Sequence, residues 1–158
     1  MKLWKRIAAF AAAAALILML PAGMTASAER AFKNCIQNVG LYDEDGMFDE
    51  TVSKALDAVI KEASQSVNMY VAVCIRPETG PQYSDSQIET MADDMYDELF
   101  NPEPGTDTDG LLLYLNLSTH YAYITTSGLG QMYYYNAVDN NRISQMIGNM
   151  TSYLRTED

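Results

Sequence analysis

Two near-continuous apolar runs, Met69 to Ile75 and Leu111 to Leu117, stand on either side of one capped amphipathic stretch, and few folds accommodate that order. An apolar run without alternation, such as the first, which is bounded by Pro77 and Gly80, fits a strand covered on both faces. Between the runs, Ser84-Asp85-Ser86-Gln87 has the spacing of a capping box, with Gln87 able to reach back to the cap. Behind it Ile88, Met91, Ala92, Met95, Tyr96 and Leu99 form one stripe of a 3.6-residue period, stopped by Pro102, Pro104 and Gly105. Strand, helix and strand without a tight turn call for a parallel, right-handed crossover.

The remaining elements extend this unit. Val52, Ala55, Leu56, Val59, Ile60 and Ala63 form an earlier helical stripe, with Asp49 placed to cap it. Ser118 and Thr119 separate Leu111–Leu117 from His120–Thr126, a gap short enough for an antiparallel hairpin. Ile143, Met146, Ile147, Met150 and Leu154 make a last helix, and residues 29–47 read as an irregular arm with a short helix around Ala31 to Val39. The expected architecture is α/β: a small mixed β-sheet with a βαβ crossover and an antiparallel hairpin, with helices packed on both faces as an α-β-α sandwich. The many Met and Tyr residues on these stripes read as core.

Residues 1–28 stand apart from this domain. Lys2, Lys5 and Arg6 precede an apolar run of fourteen from Ile7 to Leu20, and Ala26-Ser27-Ala28 is a small-x-small site. That is the pattern of a signal peptide, and the run is shorter than the roughly 20 residues of a membrane-spanning helix. The expectation is an exported single domain over residues 29–158, extracellular or associated with the cell envelope. A membrane anchor is expected only if the leader stays uncleaved or the chain continues past Asp158. Cleavage takes three of the ten basic residues and none of the 21 acidic ones, leaving seven against 21, a formal charge of −14. Such a surface repels phosphate backbones and anionic headgroups, so nucleic acid and basic-patch lipid binding are excluded classes. Export permits a Cys35–Cys74 disulfide, but two cysteines are a weak framework, and the apolar run around Cys74 better suits a buried free thiol.

Several chemistries lack their residues. His120 is the one histidine and lies in the hairpin turn, which leaves no zinc cluster and no credible Ser-His-Asp set. Gly128-x-Gly130 follows a strand without the rest of a dinucleotide fingerprint. Two acidic loops remain, Asp43-Glu44-Asp45-Gly46 and Asp107-Thr108-Asp109-Gly110. In each, carboxylates two apart beside a glycine can converge on Ca2+ or Mg2+, although Asp and Gly are also ordinary turn residues. Pairing Leu117 with His120 puts Leu111 opposite Thr126 and Asp109 opposite Gly128. Asp107 and Asp109 are therefore expected to share one end of the sheet with Thr126, Ser127, Gly128 and Gly130.

These motifs, in this order, resemble the TPM domain family. The matching stretches are Asp43-x-x-Gly46 before a helix, Ala92-Asp93-Asp94-Met95-Tyr96, Asp107-x-Asp109-Gly110-Leu111-Leu112-Leu113, and Tyr123-Ile124-Thr125-Thr126-Ser127-Gly128, within residues 38–155. The resemblance implies a compact α/β sandwich and, as in some members, calcium or magnesium in acidic loops. One branch is described as a thylakoid-lumen acid phosphatase, and another modulates membrane receptors without catalysis. Many relatives carry an Arg in the hairpin turn, where this chain has Ser118-Thr119-His120. Similar relatives also continue into a further helix, so this chain is expected to be either a short member or a fragment that lacks the last helix.

Two functions follow as expectations. In the first, Asp107 and Asp109 are the catalytic and metal-binding pair of a phosphate monoester hydrolase, Thr126, Ser127, Gly128 and Gly130 bind the substrate, and Asp43 and Asp45 offer a second metal loop. In the second, the same end of the sheet is a non-catalytic interaction surface for an envelope protein, joined by Tyr133, Tyr134 and Tyr135 as an amphipathic patch. A plainer alternative leaves the acidic loops empty and gives the charge only to solubility.

Overall fold

The computed structural model describes residues 38–77, 79–101, 103, 107–134 and 142–154. Among them lie four strands, β1 (Gly40–Tyr42), β2 (Tyr70–Arg76), β3 (Gly110–Asn116) and β4 (Tyr121–Ser127). Four helices accompany them: α1 (Glu50–Val67), α2 (Asp85–Phe100), α3 (Gly128–Tyr134) and α4 (Arg142–Leu154). The sheet order is β1-β2-β3-β4, with β1, β2 and β3 parallel and β4 antiparallel to β3. The mixed α/β sheet and its parallel crossover through α2 agree with the expected fold.

Local chemistry sets the helix starts. Asp49 accepts a bond from the Val52 amide at 2.9 Å, and Ser84 with Gln87 forms the full capping box. Asn68 ends α1 in the left-handed region at φ 53°, a conformation asparagine tolerates better than most residues.

Alternation along the central strands divides the core in two. Val71, Val73, Ile75, Leu111, Leu113 and Leu115 face Leu56, Ile60 and Ala63 of α1, joined by Tyr134 and Met146. Tyr70, Ala72, Cys74, Leu112 and Tyr114 face Ile88, Ala92, Tyr96 and Phe100 of α2. Helices thus cover both faces. Each fully buried large side chain contributes about 1.5–3 kcal/mol relative to exposure, so β2 and β3 are the energetic centre of the domain. Cys74 is a free thiol in this core, and burial pushes it up to about 12, leaving it inert at neutral pH. Cys35 lies outside the described residues, as do 31–37 of the expected early helix.

Four expectations are corrected. The arm over residues 29–47 contains β1, paired in parallel with β2. It is too short for periodicity to reveal. On α1 Ala55 is exposed and leaves the expected stripe, whereas on α2 the stripe holds, with Leu99 half-buried against the core and Phe100 added to it fully buried. The hairpin has a four-residue turn over residues 117–120, yet keeps the expected register, with Leu111 opposite Thr126. The stretch after Ser127 forms α3. Tyr134 ends that helix inside the core, away from any surface patch, and Tyr135 lies outside the described residues. Among the described residues no helix is long and apolar enough to cross a membrane.

Candidate functional site

Thr108 fixes the acidic corner. Its amide donates to the Asn101 side chain at 3.0 Å, its hydroxyl to the Phe100 carbonyl at 2.7 Å, and its own carbonyl accepts from Tyr96 Oη at 2.7 Å. These bonds tie the segment to the C-terminal end of α2. The Asp109 carbonyl accepts from the Tyr70 amide at 2.9 Å and begins the pairing with β2. Alternate residues of an extended segment point opposite ways, so Asp107 and Asp109 turn from α2 toward α3.

There the two carboxylates meet the first turn of α3. Asp107 Oδ1 accepts from Ser127 Oγ and from the Gly128 amide at 3.0 Å. Asp109 Oδ1 accepts from the Leu129 amide at 2.6 Å. A helix start leaves its first amides without intrahelical partners and favours negative charge, so the pair acts as a borrowed cap. Gly128 sits at φ 57°, and a side chain there would run into Asp109. Burial raises the Tyr96 hydroxyl pKa, and the charges of Asp107 and Asp109 add to the rise.

The corner therefore unites Asp107, Asp109, Ser127 and Gly128, with Thr126 opposite Leu111 at the same end. Gly130 is placed differently: it is buried against the Gly110 backbone. Thr108 and Leu129 carry the geometry without having been singled out from the sequence. Tyr96 had left a signal, since a core tyrosine needs a partner for its hydroxyl.

Asp43 and Asp45 are not part of this corner. They adjoin Arg76, at the far end of β2 from Tyr70, which over seven residues is roughly 20 Å away. Asp43 uses both carboxylate oxygens on its own turn, accepting from the Met47 amide at 2.8 Å and the Phe48 amide at 2.9 Å. Arg76 supplies the loop with a cation, 2.9 Å from Glu44 and 3.9 Å from Asp45.

Among the described residues no three His, Cys, Asp or Glu side chains group as a metal site. Two carboxylates and a serine hydroxyl at the corner suit a hard cation that keeps water for its other ligands, as Mg2+ does and as weakly held Ca2+ can. A family model described as the TPM domain matches residues 41–158. No curated protein and no solved structure gives a match.

Proposed function

Because the chain belongs to the TPM domain family, we propose that it is an exported, divalent-cation-stabilised binding module of the cell envelope rather than an efficient hydrolase. One observation carries this reading: the Gly128 and Leu129 amides already donate to Asp107 and Asp109. Those amides are the donors a phosphoryl oxygen would need at a helix start. Two carboxylates in their place also repel a phosphate dianion. His120, the one histidine, sits at the other end of β4 and is no general acid for this corner.

Asp107 and Asp109 would hold the cation through oxygens not given to α3, with Ser127 beside them. Ca2+ or Mg2+ bound there relieves the repulsion between the carboxylates and would also polarise a phosphoryl oxygen. The family model is itself named for a phosphatase, which favours hydrolysis as the second reading. In that reading Thr126 and Ser127 bring their hydroxyls to the substrate.

Calcium titration followed by NMR, alongside a p-nitrophenyl phosphate assay, separates the two. We expect binding in the range of about 10⁻⁴–10⁻³ M, with shifts at Asp107, Asp109 and Ser127 to Leu129 and none at Asp43 or Asp45. We expect no turnover above background, with Asp109→Ala losing the calcium response. Metal-dependent turnover abolished by Asp109→Ala would overturn the binding reading.

Export rests on the leader. The basic n-region, the apolar run of fourteen and the Ala26-Ser27-Ala28 site support cleavage before Glu29. Intact mass of the secreted protein should correspond to a chain starting at Glu29, and retention of residues 1–28 would refute this.

A further inference from the structure

The two edges of the sheet are finished differently. β1 has three residues, and the Leu41 amide on it is met by Asp57 of α1 at 3.1 Å. Gly40 gives the carboxylate room, since a side chain there would collide with Asp57. β4 has seven residues, Tyr-Ala-Tyr-Ile-Thr-Thr-Ser, with no charge and no proline among them. Exposed edges are usually blunted by lysine, proline, a bulge or a covering side chain. β4 itself carries neither of the first two, and its register with β3 runs unbroken from Gly110–Ser127 to Asn116–Tyr121.

A cavity of about 780 Å³ follows this edge. Every residue from Tyr121 to Ser127 lines it. Successive side chains on a strand point to opposite faces, so a space that touches all seven runs along the edge and not over one face. Its walls agree: Asp93, Tyr96 and Asp97 come from α2 on one side of the sheet, and Ile143 and Ile147 from α4 on the other. Within it, every second residue of β4 turns its backbone N–H and C=O away from β3. Among the described residues no fifth strand pairs with β4.

We infer that this edge receives an extended segment of a partner protein bearing lysine or arginine at alternate positions, which adds to the sheet as a fifth strand. The inference rests on reading the domain as a binding module and names the surface and the chemistry of what it binds. Backbone pairing supplies affinity in such strand addition, and side chains at every second position supply selectivity. The charge of the groove selects the partner. Asp93 and Asp97, exposed and one helical turn apart, stand over it, and no Lys, Arg or His is among its described lining residues. A second copy of the chain would bring the same two aspartates against them, within a protein of formal charge −11. A basic strand meets them favourably instead.

The test is an NMR titration of the protein with a synthetic octapeptide of alternating lysine and valine, with alternating glutamate and valine as control. The basic peptide should shift residues 121–127 and protect alternate β4 amides from hydrogen exchange, and the acidic peptide should do neither. The Asp93→Asn/Asp97→Asn variant, altered only on an exposed helix face, should bind about two- to thirtyfold more weakly, as expected for two exposed ion pairs. Binding without protection of β4, equal binding of the acidic peptide, no binding at about 1 mM, or a β4-mediated dimer formed without peptide would each overturn the inference. Absence of phosphatase turnover together with absence of strand addition would sink this surface alone, whereas turnover dependent on Asp109 would sink the module reading beneath it.

Discussion

Replacing Phe100 by alanine should lower stability by about 3–5 kcal/mol, the range for truncating a buried phenylalanine. Phe100 is 1% exposed and is the last residue of α2. Its ring stacks on Tyr70 at 5.4 Å between centroids and meets Tyr96 edge-on at 5.1 Å. Its backbone carbonyl also receives the Thr108 hydroxyl. The ring thus fills the α2-side core where the chain leaves the helix for the acidic corner. A domain of this size holds about 5–15 kcal/mol in total, so the loss removes a large share and lowers Tm by roughly 10–20 °C. Leu99→Ala is the informative comparison, because Leu99 is half-buried and should cost clearly less. Phe100→Leu keeps most of the volume and loses the ring contacts, which are worth about 0.5–1.5 kcal/mol each. It should therefore fall between the other two. Urea unfolding of the three variants checks the order, and a larger loss for Leu99→Ala than for Phe100→Ala would mean that α2 is rotated from the position described.

That comparison also shows where the sequence was legible. The period of α2 was plain from Ile88, Ala92 and Tyr96, all buried as expected. The same stripe ends at Leu99, which does pack half-buried against the core, and gives no sign that contact with Tyr70 buries Phe100 more deeply. The hairpin register was legible because a short gap leaves one pairing, even though the turn itself proved to be four residues. β1 was not legible: three residues give no period, and its pairing with β2 is set by tertiary contact. The acidic corner was half legible. Register alone brings Asp109 beside Gly128, but not the fact that both carboxylates cap α3. Seven residues with two glycines carry too little helical pattern to announce a helix, so Gly128 and Gly130 read only as substrate-binding backbone beside the acidic pair.

Gly130 turns that difference into a measurable effect. A Cβ at this position would fall well inside contact distance of the Gly110 carbonyl oxygen, with the Gly110 carbonyl carbon only 3.2 Å away. Gly110 cannot retreat, since it opens β3 and pairs with both Tyr70 and Ser127. A Cβ on Gly110 itself would meet Tyr96 Oη at 2.7 Å and the Tyr70 carbonyl oxygen at 3.0 Å. The two glycines therefore let α3 sit directly on the start of β3, which holds the Gly128 and Leu129 amides within reach of Asp107 and Asp109. Gly130→Ala should cost about 2–3 kcal/mol, because a backbone neighbour has no rotamer with which to yield. Gly148→Ala supplies the opposite sign: it lies within α4 with nothing near its would-be Cβ, and should gain about 0.5–1 kcal/mol from helix propensity. If Gly130 acts by packing, its substitution lowers the urea midpoint equally with and without calcium or phosphate. A variant of unchanged stability and weakened ligand response would instead return Gly130 to the role of a ligand contact.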